Sequence, residues 1–154
     1  MKEEQHDVIC LKDDKKETAK LEFGIVKGEV WIRIALNDLI IEKKGRNYFD
    51  TLREIRSILE NRSIRLLCKG CCKCVYPSAM ILSMGRGREA YYLTMGKQAE
   101  TLVDIFDDCS SQEYATMEEQ KQYFHEWCNS IQRKRHWIRR LVQRILRSFK
   151  KICK

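Results

Sequence analysis

In the stretch Leu21-Glu22-Phe23-Gly24-Ile25-Val26-Lys27-Gly28-Glu29-Val30-Trp31-Ile32-Arg33-Ile34-Ala35-Leu36, apolar side chains recur at every second position. Leu21, Phe23 and Ile25 share one face, Lys27-Gly28 offers a turn, and Val30, Ile32, Ile34 and Leu36 alternate with Trp31, Arg33 and Ala35. A period of two is the signature of a half-buried strand, so this stretch predicts a β-hairpin. Asn37-Asp38 breaks the run, and Leu39-Ile40-Ile41 is short enough to be either a third strand or the first turn of a helix.

Upstream, residues 1–20 are mostly Lys, Glu and Asp around the small apolar island Val8-Ile9-Cys10-Leu11, which fits either an edge strand or a mobile leader, and the stretch is read as a poorly ordered leader. Downstream, Asn47 is a plausible N-cap, since its side-chain oxygen can accept from the free N–H groups of a first helical turn. Phe49, Leu52, Ile55 and Leu59 follow at helical spacing, with Arg53, Glu54, Arg56 and Glu60 placed outside. Asn61-Arg62-Ser63 ends that helix, and Ile64 to Cys68 reads as a buried strand. Ala90 to Met95 is expected as its neighbour, closed by Gly96, and Glu100 to Phe106 has a short helical pattern.

Thr116-Met117-Glu118-Glu119 matches a capping box, in which threonine and glutamate satisfy each other's orphan backbone donors. No Gly or Pro follows, so a helix can run from Met117 towards Cys153, on the order of 50 Å at about 1.5 Å per residue. Asn129-Ser130 is its weakest place. Phe124, Trp127, Cys128 and Ile131 form a stripe expected to pack on the sheet, and Ile138, Leu141, Val142, Ile145, Phe149 and Ile152 form a second one. The predicted architecture is α+β: a small, mainly antiparallel sheet (β-β-α-β-β) with helices on one face and a long C-terminal basic amphipathic helix. Residues 21–129 are read as the α+β domain and 130–154 as a basic amphipathic extension.

With 154 residues and 44% hydrophobic content, one modest core is expected, because a chain of this size hides roughly 70% of its unfolded surface. The formal charge of +8 is segregated. After Glu126 there is no acid, while Arg133, Lys134, Arg135, Arg139, Arg140, Arg144, Arg147, Lys150, Lys151 and Lys154 supply ten positive charges, leaving −2 for residues 1–132. A cationic stripe beside an apolar one can lie on an anionic membrane surface, track a nucleic-acid backbone or pack on a protein partner. The plainer alternative is a terminal helix docked on its own domain with a solvated basic face. No apolar run approaches the ~20 residues of a membrane span. The N-terminal residues lack the apolar core of a signal peptide, so the eight cysteines are expected as free thiols in a reducing cytoplasm.

The central loop holds four of the cysteines, Cys68, Cys71, Cys72 and Cys74, together with the only proline. Four thiolates can ligate zinc, but structural zinc sites usually draw two pairs from separate knuckles, and only one is present. Cys109, Cys128 and His125 could supply distant ligands, yet no metal or other cofactor is expected. Gly85-Arg86-Gly87-Arg88 is a flexible loop with two guanidinium groups, suited to a phosphate or carboxylate, though without a P-loop ending. Tyr76, Arg86, Arg88, Tyr91 and Lys97 are therefore the candidate ligand-binding residues for a small anionic ligand. No catalytic residue stands out: His125-Glu126 lacks a second histidine four residues after His125, and no base is marked for a cysteine nucleophile.

From about Val30 to Trp127 the sequence resembles a family of small bacterial proteins of uncharacterised function. The resemblance lies in Val75-Tyr76-Pro77-Ser78, Met84-Gly85-Arg86-Gly87, Ala90-Tyr91, Leu93-Thr94, Gly96-Lys97 and Leu102-Val103-Asp104-Ile105-Phe106-Asp107. In that family's pattern Asn stands at the position of Cys74 and Gly at that of Ala79, which implies that the cysteine cluster is local drift. The combined expectation is a non-enzymatic cytoplasmic binding or regulatory protein, immunity-like or accessory, whose basic helix contacts an anionic surface or a protein partner. The competing expectation is an enzyme acting on a small phosphorylated or carboxylated substrate held by Arg86 and Arg88.

Overall fold

The computed structural model describes the backbone of residues 3–152 and the side chains of residues 3–144. The chain forms β1 (Glu3–Lys12), β2 (Lys15–Val26), β3 (Glu29–Leu36), β4 (Leu39–Gly45), α1 (Tyr48–Glu60) and β5 (Ile64–Leu67). A 3-10 turn (Lys69–Cys71) leads to β6 (Val75–Tyr76), α2 (Ala79–Met84), β7 (Glu89–Tyr92), β8 (Thr101–Asp104) and α3 (Met117–Ile152). The fold is α+β. A five-stranded antiparallel sheet has the order β4-β3-β2-β1-β5, and a three-stranded one the order β6-β7-β8.

The predicted hairpin is β2–β3, in the register Leu21↔Ile34 and Phe23↔Ile32. Lys27 (φ 51°) and Gly28 (φ 88°) both take the left-handed backbone that a tight two-residue hairpin turn requires. Asp13 and Asp14 (φ 50° and 59°) make the same kind of turn between β1 and β2. Residues 3–20 are therefore not a loose leader. They form β1 and the start of β2, and Val8, Cys10, Ala19 and Leu21 lie in the core. The charged residues that argued against a strand occupy its exposed positions. Leu39-Ile40-Ile41 belongs to β4, whose Ile41 pairs with Ile34.

Asn47 caps α1 as expected: its Oδ1 accepts from the Asp50 backbone N–H at 2.8 Å. The buried face of α1 carries Phe49, Leu52, Ile55 and Leu59, and the curled five-stranded sheet meets it at β3 and β4 on one side and at β5 on the other. Arg56, expected outside, is only 1% exposed. Its guanidinium donates to Ala115 O (2.7 Å), Gln120 Oε1 (2.8 Å) and Gly70 O (3.3 Å) and pairs with Glu60 at 3.3 Å. Burial of a cation is tolerable only with such partners.

Two further expectations give way to the small sheet. The Ala90–Met95 segment contributes β7, which pairs with β6 and β8 rather than with β5. The Glu100–Phe106 segment is extended as β8, not helical; Ala90↔Val103 lines up across the ladder. Its apolar residues are too few for spacing to separate the two periods.

Candidate functional site

The site takes shape where α3 leaves the globule. The Thr116 backbone N–H and hydroxyl donate to Glu119 Oε2 at 2.7 and 3.0 Å, and the Glu119 N–H donates back to Thr116 Oγ1 at 3.3 Å. These bonds hold the Glu119 carboxyl below its usual range. One residue on, Gln120 is buried, and its Nε2 lies 2.9 Å from the carbonyls of Gly70, Cys72 and Val75. Phe124 stacks on Tyr76 with ring centroids 4.2 Å apart. The first stripe thus packs on the small sheet and the loop after β7, not on the five-stranded sheet.

That loop is fastened to the helix by polar bonds as well. Trp127 Nε1 donates to Lys97 O (2.9 Å), Ser130 Oγ accepts from the Gly96 N–H (2.9 Å), and Lys134 Nζ donates to Gly96 O (3.1 Å). Helix and loop enclose a cleft of about 540 Å³ lined by Thr94, Lys97, Glu100, Lys134, Arg135 and Ile138, among others. The helix passes Asn129-Ser130 unbroken. Ser130 satisfies its hydroxyl on Trp127 O, a local bond that lets serine sit within a helix.

From Gln132 to Arg144 every residue is exposed, although Lys134, Arg135 and Ile138 also line the cleft. Trp137 is 63% exposed, and Ile138, Leu141 and Val142 lie between 41% and 48%. Arg133, Lys134, Arg135, Arg139, Arg140 and Arg144 surround them. Arg147, Lys150 and Lys151, named for the same role, and the apolar Ile145, Phe149 and Ile152 have side chains outside the described residues. Among the described residues, no helix is long and apolar enough to cross a membrane.

The five candidate ligand residues do not converge. Tyr76 packs between Phe124 and Phe49, and Tyr91 sits opposite it across the β6–β7 ladder. Arg86 (φ 53°) reaches the β2–β3 turn, where its Nη1 donates to Gly28 O at 2.5 Å, and its own carbonyl accepts from the Tyr48 N–H at 2.7 Å. Arg88 pairs with Asp104 at 2.6 Å and Glu4 at 3.1 Å, and its guanidinium lies 4.3 Å from the centre of the Phe23 ring. The Gly-Arg-Gly-Arg loop is therefore an internal fastener whose arginines have partners within the chain. Of the five, only Lys97 lines the cleft beside α3.

The cysteine cluster also divides. Cys68 and Cys71 are fully buried with sulfurs 3.6 Å apart. Burial alone would raise the Cys71 thiol, yet its hydrogen bond with Cys68 and the Arg56 guanidinium bring it below its ordinary value. Cys72 is joined to Cys109 by a disulfide, so these two are not the free thiols expected from the sequence. Cys74 lies apart from both pairs, beside Tyr92. Among groups within the described residues, one could hold a metal ion: Cys72, Cys109 and Glu113.

Sequence reasoning missed Gln120 and Arg56, which tie α3 to the globule. The signal for Gln120 was available: it stands four residues before Phe124 and seven before Trp127, on the same helical face. No family model and no curated protein matches the chain.

Proposed function

We propose that this is a non-enzymatic binding protein that attaches to an anionic membrane surface through the exposed half of α3 and presents its globule beside that surface. The observation that carries this reading is the exposure of Trp137, Ile138, Leu141 and Val142 amid six cationic side chains of residues 133–144. Such a helix lies in the interface, its apolar side chains below the headgroups and its cations among them. Bare apolar side chains favour a lipid surface over a nucleic-acid backbone, which rewards cations alone. Attachment is peripheral. A cytoplasmic location fits, because the cytoplasmic leaflet is the anionic one.

The globule would then be the part that recognises a protein partner, in a regulatory or immunity-like role. The enzyme alternative loses its main support, since Arg86 and Arg88 have partners within the chain.

The test compares the full chain with a form ending at residue 130, floated with phosphatidylcholine vesicles with and without phosphatidylserine. The full chain should bind only the anionic vesicles, with affinity falling steeply as salt rises. The shortened chain should stay folded and not bind. Equal binding to both vesicle types, salt-insensitive binding, or preference for a DNA duplex over vesicles would each overturn the proposal.

A further inference from the structure

We propose that Cys72, Cys109 and Glu113 form a redox-gated zinc site, closed while the two sulfurs are bonded to each other and opened when that bond is reduced. The two sulfurs and a carboxylate oxygen lie within 4.8 Å of one another. Ligand atoms of a tetrahedral zinc site stand about 3.5 to 4 Å apart when Zn–S is about 2.3 Å and Zn–O about 2.1 Å. Small side-chain rotations after S–S cleavage bring the donors to that spacing.

The segments carrying these donors stay together without the disulfide. Lys73 N–H donates to Glu113 O (2.9 Å), Ala115 N–H to Cys71 O (3.1 Å) and Cys109 N–H to Leu67 O (3.3 Å). Cys72 also forms a bridge with Tyr114. Backbone hydrogen bonds thus hold the donors in place in either oxidation state.

The carboxylate is oriented as metal-binding carboxylates are. Glu113 Oε2 accepts from the Ser110 hydroxyl (3.0 Å) and N–H (3.2 Å), while Lys69 Nζ stands 3.4 Å from both carboxylate oxygens. Outer hydrogen bonds of this kind fix a ligand's direction, and the Lys69 charge offsets the excess negative charge of two thiolates and a carboxylate on one Zn²⁺. Three protein donors leave the fourth position to water, the pattern of an open rather than a purely structural site. The neighbouring Cys68–Cys71 pair has sulfurs 3.6 Å apart but belongs to no such donor group among the described residues.

The chemistry balances with a dithiol as reductant. Two electrons and two protons pass from it to the Cys72–Cys109 bond, giving two thiols, and the dithiol becomes a disulfide. Zn²⁺ then displaces the two thiol protons, forming two Zn–S bonds and one bond to Glu113. A disulfide oxidant reverses the sequence: it takes two electrons from the two zinc-bound thiolates, is reduced to a dithiol with two protons from solvent, and the Cys72–Cys109 bond re-forms as both Zn–S bonds break and the ion leaves.

The full chain, reduced with a phosphine and desalted without oxygen, is titrated with zinc against a chromophoric chelator; cobalt in place of zinc reports sulfur ligation by its charge-transfer bands. One equivalent should bind to the reduced chain and none to the oxidised chain. Cys109→Ser should weaken binding by more than about 100-fold and Glu113→Gln by about 10-fold or more, whereas Cys68→Ser should leave it unchanged. Glu113 is half-exposed, so its variant keeps the test decisive if loss of Cys109 impairs folding. Absence of binding by the reduced chain, binding unaffected by Glu113→Gln, or binding abolished by Cys68→Ser would overturn the site. Equal binding by the oxidised chain would overturn the gating.

Discussion

Replacing Gln120 with alanine is expected to destabilise the protein by about 3 to 4 kcal/mol, although position 120 lies on a helix and alanine is the better helix former. The magnitude follows from what the amide touches. Its Nε2 stands 2.9 Å from three carbonyls, those of Gly70, Cys72 and Val75, and its Oε1 accepts from Arg56 Nη1 at 2.8 Å. An amide nitrogen has two protons, so the three carbonyls share the equivalent of two hydrogen bonds, each worth about 1 kcal/mol. The bond from a charged guanidinium adds about 1.5 kcal/mol, at the low end of its range because Arg56 keeps Ala115 O and Glu60. Alanine leaves these groups buried and short of a partner. For a chain of this length such a loss lowers the midpoint of thermal unfolding by roughly 6 to 16 °C. Denaturant unfolding of Gln120→Ala beside Gln122→Ala, an exposed control two residues further on, measures the difference. A loss below about 1 kcal/mol would show that the amide does not fasten α3 to the globule, and the account of the helix's anchored half would be refuted.

Arg88→Ala should cost about 2 kcal/mol in denaturant unfolding, because it removes the partners of Asp104 and Glu4 and the cation over Phe23. Thr116→Ala should cost about 1 kcal/mol at neutral pH as a lost helix cap. Glu119 is held below its usual range in the folded chain, so its contribution is complete above the unfolded carboxylate value of about 4.3 and drains away as pH falls through the lower folded value. The gap between Thr116→Ala and the parent should therefore narrow in acid unfolding curves. The double variant Arg139→Ala with Arg140→Ala should weaken binding to phosphatidylserine vesicles about 30-fold, at about 1 kcal/mol per cation, while leaving the unfolding midpoint unchanged.

Much of the scaffold was legible because its strands and helices bury one face and expose the other. Leu21 to Leu36 gave its hairpin through period two, and Asn47 and Thr116 marked helix starts through capping chemistry. What escaped was settled by partners far along the chain. Nothing in Glu3 to Asp7 shows that β1 has β2 on one side and β5 on the other. Arg56 reads as a surface residue until the carbonyls of Gly70 and Ala115 are brought beside it. For the same reason Arg86 and Arg88 read as free cations, although Gly28, Asp104 and Glu4 engage them. The apolar stripe on α3 could be read as a stripe, but only the fold reveals that Trp137, Ile138, Leu141 and Val142 stay exposed. Cys72 found Cys109 across 37 residues, a separation no local spacing encodes.

That bond has a topological consequence. Cys72 and Cys109 bracket all of β6, α2, β7 and β8, so the small sheet is a covalent ring tied off at its neck. A protease that nicks the exposed Met80 or Met84 region would leave both fragments attached, migrating as one species until a reductant separates them. Because α3 rests on this ring, the helix and the rest of the globule would survive such a cut in register.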